Sequence, residues 1–149
     1  MVFFSAPTAR PRLVLTLGLA LAVSLPACSR SNGRIKVYPV HGKVLVKGQP
    51  ATDATVRLHP ADGDTSVPHW VLGRVDDQGN FALSTYVTGD GAPAGEYVVT
   101  VEWNERSGLL KTEFSGPDRL KGRYKDPKTS KIRFRVETQP LNEMPAIEL

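Results

Sequence analysis

Cysteine is nearly missing from this chain: among 149 residues there is one, at position 28. A lone thiol closes no internal disulfide, so any fold must hold by packing alone, which a chain of this length can do. Histidine is also scarce. His41, His59 and His69 stand singly, without the H-x-H, H-E-x-x-H or C-x-x-C spacing that gathers ligands around a zinc ion. Each therefore reads as a surface or packing residue. No G-x-S-x-G elbow and no glycine-rich phosphate loop occurs, so the sequence names no catalytic residue, no metal ligand and no cofactor. Charge of one sign is not in large excess: 19 Lys and Arg face 15 Asp and Glu, a net +4. That falls short of the basic surplus of a nucleic-acid binder, and nucleic acid is not expected as a partner. No apolar run reaches the roughly 20 residues a membrane-spanning helix needs. Sustained helical periodicity with caps at both ends is lacking too, apart from a possible single turn at Asp118 to Tyr124.

What is present begins with the N-terminus. Arg10 and Arg12 precede an apolar run of 13 residues, Leu13 to Leu25, followed by Pro26-Ala27-Cys28. The run matches the apolar segment of a signal peptide, usually about 7–15 residues long. An ordinary secretory cleavage site wants small residues at −3 and −1, and Leu25 is large for −3. Leu25-Pro26-Ala27-Cys28 instead resembles a bacterial lipobox, with Leu at −3 and Cys at +1; Pro26 departs from the usual small residue at −2. On that resemblance residues 1–27 are a lipoprotein signal peptide and Cys28 is the lipid-modified first residue of an exported, lipid-anchored envelope protein. Ser29 in place of Asp leans toward the outer membrane. Loss of the signal removes Arg10 and Arg12 and no acid, leaving 17 basic against 15 acidic side chains, or +2. Residues 28–34 form a short polar, flexible tether. Its six residues Ser29 to Arg34 span at most about 20 Å, so Arg30, Arg34 and Lys36 can reach anionic head groups. Solvated linker charges explain them equally well.

Residues 35–149 read as strands and turns. Ala54 to His59 alternates apolar with polar, as a half-buried strand does. Val40, Val44 and Val46 lie in a β-rich run ending at Lys47-Gly48-Gln49-Pro50. Trp70 to Val75 and Phe81 to Tyr86 flank Asp76-Asp77-Gln78-Gly79-Asn80, a strong turn signal. Tyr97 to Trp103 is the clearest strand, with Tyr97, Val99, Val101 and Trp103 on one face. Ile132 to Val136 alternates again, and Met144 to Leu149 suits a last strand. The class expected is all-β: an antiparallel β-sandwich of about seven strands, Ig-like or transthyretin-like.

Several of these stretches carry a family resemblance. Gly42-Lys43-Val44, Gly48-Gln49-Pro50-Ala51, Asp76 to Phe81 and Ala94 to Val101 resemble the hairpins and core strands of carboxypeptidase regulatory-like (transthyretin-like, prealbumin-like) domains. Tyr124 to Ile132 with Asn142-Glu143 is similar to small exported lipoproteins of planctomycete-like bacteria. The resemblance implies a fold far more than a function. Two enzyme families on related sandwiches do not match: the chain ends Ala146-Ile147-Glu148-Leu149, unlike the Tyr-Arg-Gly-Ser-like tail of hydroxyisourate hydrolases. It also lacks the paired Tyr and closely spaced His ligands of intradiol dioxygenases. The expected role is a non-catalytic structural or protein-interaction module.

An alternative is a module of the cell envelope that binds carbohydrate or anionic polymer. Trp70 is the candidate for stacking on a sugar, against core or rim packing. Asn104 to Lys131 is a long connection for a small domain. Within it Arg119, Lys121, Arg123, Tyr124 and Lys125 form a basic, aromatic candidate patch, against a solvated crossover pinned by Leu120 and Tyr124. The acidic pairs Asp62/Asp64 and Asp76/Asp77 have the chemistry of calcium ligands but too few carboxylates, and turn formation explains them better.

Overall fold

Valine and threonine at alternate positions favour extended backbone, because a branched Cβ packs well on a pleated sheet. The computed structural model describes Met1 and residues 33–68, 70–110 and 112–149. Gly33–Leu149 forms one compact unit, all-β throughout its described residues. In chain order its strands are β1 (Val37–Tyr38), β2 (Val40–Val46), β3 (Gln49–Pro50), β4 (Thr55–Pro60), β5 (Leu72–Arg74) and β6 (Asn80–Ala82). They continue with β7 (Ala92–Pro93), β8 (Gly95–Glu102), β9 (Arg133–Val136), β10 (Asn142–Glu143) and β11 (Ile147–Glu148). Six of the eleven are longer than two residues, close to the expected seven.

One sheet runs β5-β4-β8-β9, antiparallel throughout. The second is built on β2, which pairs with β3 and β6 antiparallel and with β10 and β11 parallel. The antiparallel β-sandwich expected from the sequence is borne out, and two short parallel pairings on β2 add to it. The chain leaves β9, turns through 137–141 and returns beside β2 in the direction of β2 itself, and only the tertiary path sets that direction. The Asn142 side chain fixes this return: its Oδ1 accepts from Glu137 N–H at 2.8 Å and its Nδ2 donates to Glu137 O at 3.1 Å. Its backbone N–H reaches Pro39 O at 2.8 Å.

A third, two-stranded sheet pairs β1 with β7 antiparallel, and the two larger sheets enclose one apolar core. Val40 and Val44 of β2, Val56 and Leu58 of β4, and Val99 and Val101 of β8 are fully buried. Each such side chain is worth about 1.5–3 kcal/mol relative to exposure. In β4 the period of two is clean: Val56 and Leu58 point in, while Thr55, Arg57 and His59 are half-buried on the outer face. In β8 it is not, because Val98 and Thr100 are buried as well. Their cross-strand neighbours are His59, Arg57 and Arg133, whose long side chains cover the outer face around them. Tyr97, 1% exposed, opens the buried stretch. Its hydroxyl donates to Pro93 O at 2.9 Å, the local geometry of a tyrosine corner in Greek-key sandwiches.

Turns follow their sequence. Lys47 and Gly48 both have positive φ, 51° and 75°, and join β2 to β3 as a two-residue hairpin of type I′ form. Asp76 Oδ1 accepts from Gln78 N–H at 2.9 Å and Asn80 N–H at 2.8 Å. Two expectations give way. Trp70 lies in a turn before β5, and Asp118 to Tyr124 is a run of turns without a helix, Lys121 and Gly122 taking positive φ.

Candidate functional site

Two loops carry the side chains that are neither core nor plain sheet surface. The first is 84–91, held by one carboxylate. Asp90 Oδ1 accepts from Thr85 N–H at 2.7 Å, and its Oδ2 from Tyr86 N–H and Val87 N–H, each at 3.0 Å. Thr85 Oγ1 donates to Gly91 O at 2.6 Å, and Gly89 N–H to Ser84 Oγ at 2.9 Å. Gly91, at φ 95°, is required: a Cβ there would stand 1.8 Å from Tyr38 O. The loop so fixed collects distant residues. Trp70 Nε1 donates to Thr85 O at 2.9 Å, Ile35 N–H donates to Tyr86 Oη at 3.1 Å, and the Arg34 guanidinium lies 5.0 Å from the Tyr86 ring centre. At this corner Val87 is 61% and Trp70 48% exposed, and Ile35 is exposed beside them. Asp90 was not singled out from sequence, although aspartate between two glycines is a signal for a side chain that bonds its own turn.

The second is 104–131, which divides into two pieces. An arm pairs with itself across Asn104–Asp118 and Ser107–Glu113, and its tip exposes Leu109 and Leu110. Asp118 closes the arm, its Oδ1 accepting from Trp103 N–H and Leu120 N–H at 3.0 Å and its Oδ2 from Gly122 N–H at 2.8 Å. Turns then carry the basic segment along the edge of β8, where Val101 N–H donates to Tyr124 O at 3.0 Å and Val99 N–H to Ile132 O at 3.0 Å.

The sequence candidates fall as follows. Cys28 lies outside the described residues, as does His69. Arg119, Lys121, Arg123 and Lys125 are exposed, while Leu120 and Tyr124 between them are half-buried against the core. That alternation is the one expected of a crossover pinned by its apolar residues. Arg119 is committed further, its guanidinium stacked 3.9 Å from the Trp103 ring centre. Trp103 packs on the core and donates from Nε1 to Thr52 O at 2.8 Å. Trp70 and the basic segment thus belong to different loops. The acidic pairs serve turns: Asp62 Oδ1 accepts from Asp64 N–H at 3.0 Å and Asp64 Oδ1 from Ser66 N–H at 2.8 Å.

A groove of 380 Å³ is lined by His41, Arg74, Asp76, Asn80 and Phe81. Its charged groups are already engaged: Arg74 stacks on Phe114 at 3.9 Å and donates to Asp53 O at 3.3 Å, and Asp76 holds its turn. Four protonation equilibria are displaced, that of Arg135 upward by its hydrogen bond to Glu96 and then by the Glu96 charge. Burial, then the charge of Arg57, lowers the pKa of His59 against the opposing pull of Glu102, while its Nε2 lies 2.9 Å from Thr100 Oγ1. Burial, then the charges of Asp64 and Asp62, pushes the Tyr97 phenol up to about 12. Hydrogen bonds from Ser66 hold Asp64 below the ordinary carboxylate range.

No protein-family model and no curated protein matches the chain. Among solved structures it is similar to a 9R-lipoxygenase from Cyanothece PCC8801, with TM-score 0.42 and 13% identity over 76% of this chain. The chain spans 16% of the length of that structure. No comparison supports the expected absence of catalytic activity, and that expectation is withdrawn. A likeness at that TM-score assigns no activity here. All-β frameworks serve catalysts and non-catalysts alike, so missing motifs alone could not decide the matter.

Proposed function

We propose that this chain is an exported lipoprotein, acylated at Cys28, whose β-sandwich serves a structural or protein-interaction role at a membrane surface of the cell envelope. The observation that carries this reading is the position of the sole cysteine. It follows Leu25-Pro26-Ala27 at the end of an apolar run too short to span, and the folded unit begins at Gly33, five residues later. A thiol there is a liability in an oxidising compartment and an asset only as an attachment point. Several acyl chains, each methylene adding about 0.8 kcal/mol, hold such a protein stably on a bilayer. A carbohydrate- or anionic-polymer-binding module on the 119–125 segment has less behind it, because Arg119 and Tyr124 are used by the fold. Intact-mass analysis of the membrane fraction tests the anchor. The expected mass is a diacylglyceryl adduct on a chain starting at Cys28; an unmodified soluble chain refutes it.

A further inference from the structure

The exposed apolar residues of the folded unit are not scattered evenly. Ile35, Trp70 and Val87 gather on the loop 84–91, with Tyr86 at their centre and Arg34 over its ring. A second exposed pair, Leu109 and Leu110, stands at the tip of the arm, and Leu141 is exposed in the turn before β10. The first group lies where the chain enters the fold. From Cys28 to Gly33 the chain is five residues long, at most about 18 Å when fully extended. A domain of this size is about 35 Å across. An anchored Cys28 therefore brings the residues next to Gly33 to the bilayer first.

The chemistry of this corner fits that position. Trp and Tyr favour the boundary between head groups and hydrocarbon, where one part of the ring is apolar and the other is wet. Val87 and Ile35 add aliphatic surface, and Arg34 and Lys36 add positive charge suited to anionic head groups. The corner is also firmly built. Asp90 accepts three backbone N–H groups of Thr85, Tyr86 and Val87, so the loop presents its side chains without first having to order.

We infer that the corner formed by Ile35, Trp70, Tyr86 and Val87, with Arg34 and Lys36, rests against the lipid bilayer and sets the orientation of the domain on it. This rests on the proposed acylation of Cys28 and adds to it a membrane-facing side. The test uses the full chain isolated from membranes and reconstituted into vesicles of phosphatidylcholine with phosphatidylglycerol. Acylation of Cys28 leaves Val87→Cys as the single reactive thiol for an environment-sensitive fluorophore, and Leu109→Cys provides the same label on the arm. Brominated acyl chains are expected to reduce emission at position 87 by at least half and to leave position 109 little changed. Equal or stronger quenching at 109, or none at 87 on a chain whose mass shows the acyl groups, overturns the membrane-facing corner and leaves the anchor standing. A mass without acyl groups at Cys28 overturns the anchor and this inference together.

Discussion

Replacing Tyr97 with phenylalanine removes one oxygen from the start of β8 and leaves the ring in place. That oxygen donates to Pro93 O at 2.9 Å from a side chain that is 1% exposed. Loss of a buried hydrogen bond of this kind costs about 1–2 kcal/mol. The same burial, with Asp64 and Asp62 nearby, raises the phenol from 10.0 to about 12, which makes the cost depend on pH. Between these values the unfolded chain releases the proton while the folded chain keeps it. The folded state then binds more protons, so stability falls as pH rises. For this group the loss reaches about 2 kcal/mol by pH 12. Tyr97→Phe lacks the group and escapes that loss. Urea unfolding at pH 7 to 12, followed by tryptophan fluorescence, should show wild type more stable at pH 7. The gap should close above pH 10 and vanish or reverse near 12. Two curves that stay parallel across this range would refute the reasoning, because they would mean that the phenol titrates alike in both states.

Two further outcomes follow from the same structure. Gly91→Ala places a Cβ 1.8 Å from Tyr38 O at φ 95° and should lower stability by more than about 3 kcal/mol, whereas Gly48→Ala, at φ 75° with open space around it, should cost only about 1 kcal/mol; thermal melts of both variants check the contrast. His59 has a lowered pKa, so below its ordinary value the unfolded chain takes up the proton first and stability falls as pH drops; His59→Gln should flatten the stability profile between pH 7 and 5 in denaturant titrations.

Much of this fold was legible along the chain, and for local reasons. The period of two in Ala54 to His59 became β4, with Val56 and Leu58 inside. Asp76 bonds the backbone of its own hairpin, as its position before Gly79 and Asn80 leads one to expect. Other features were illegible because the partner lies far away. Val98 and Thr100 read as the outer face of β8, yet residues of β4 and β9 bury them. Asn104 to Lys131 read as one long loop, but Asp118 ties its first half into a paired arm and hands the rest to the edge of β8. Of the candidate sites, the basic segment proved to alternate between solvent and core, and the Asp90 loop emerged only with the structure.

What the sequence determined by itself is short-range: the all-β class, its turns, and a single thiol placed between an apolar run and the folded unit. These follow from side-chain shape, backbone preference and hydrophobic period, each of which acts within a few residues. The tertiary structure alone decided that β10 and β11 run parallel to β2, that Trp103 packs on the core while half of Trp70 meets solvent, and that Ile35, Trp70 and Val87 share one corner. Those outcomes depend on contacts between groups as far apart as Pro39 and Asn142, 103 positions along the chain. No local pattern encodes such pairings, because their free energy comes from burying surfaces and satisfying backbone groups that meet only when the chain has folded.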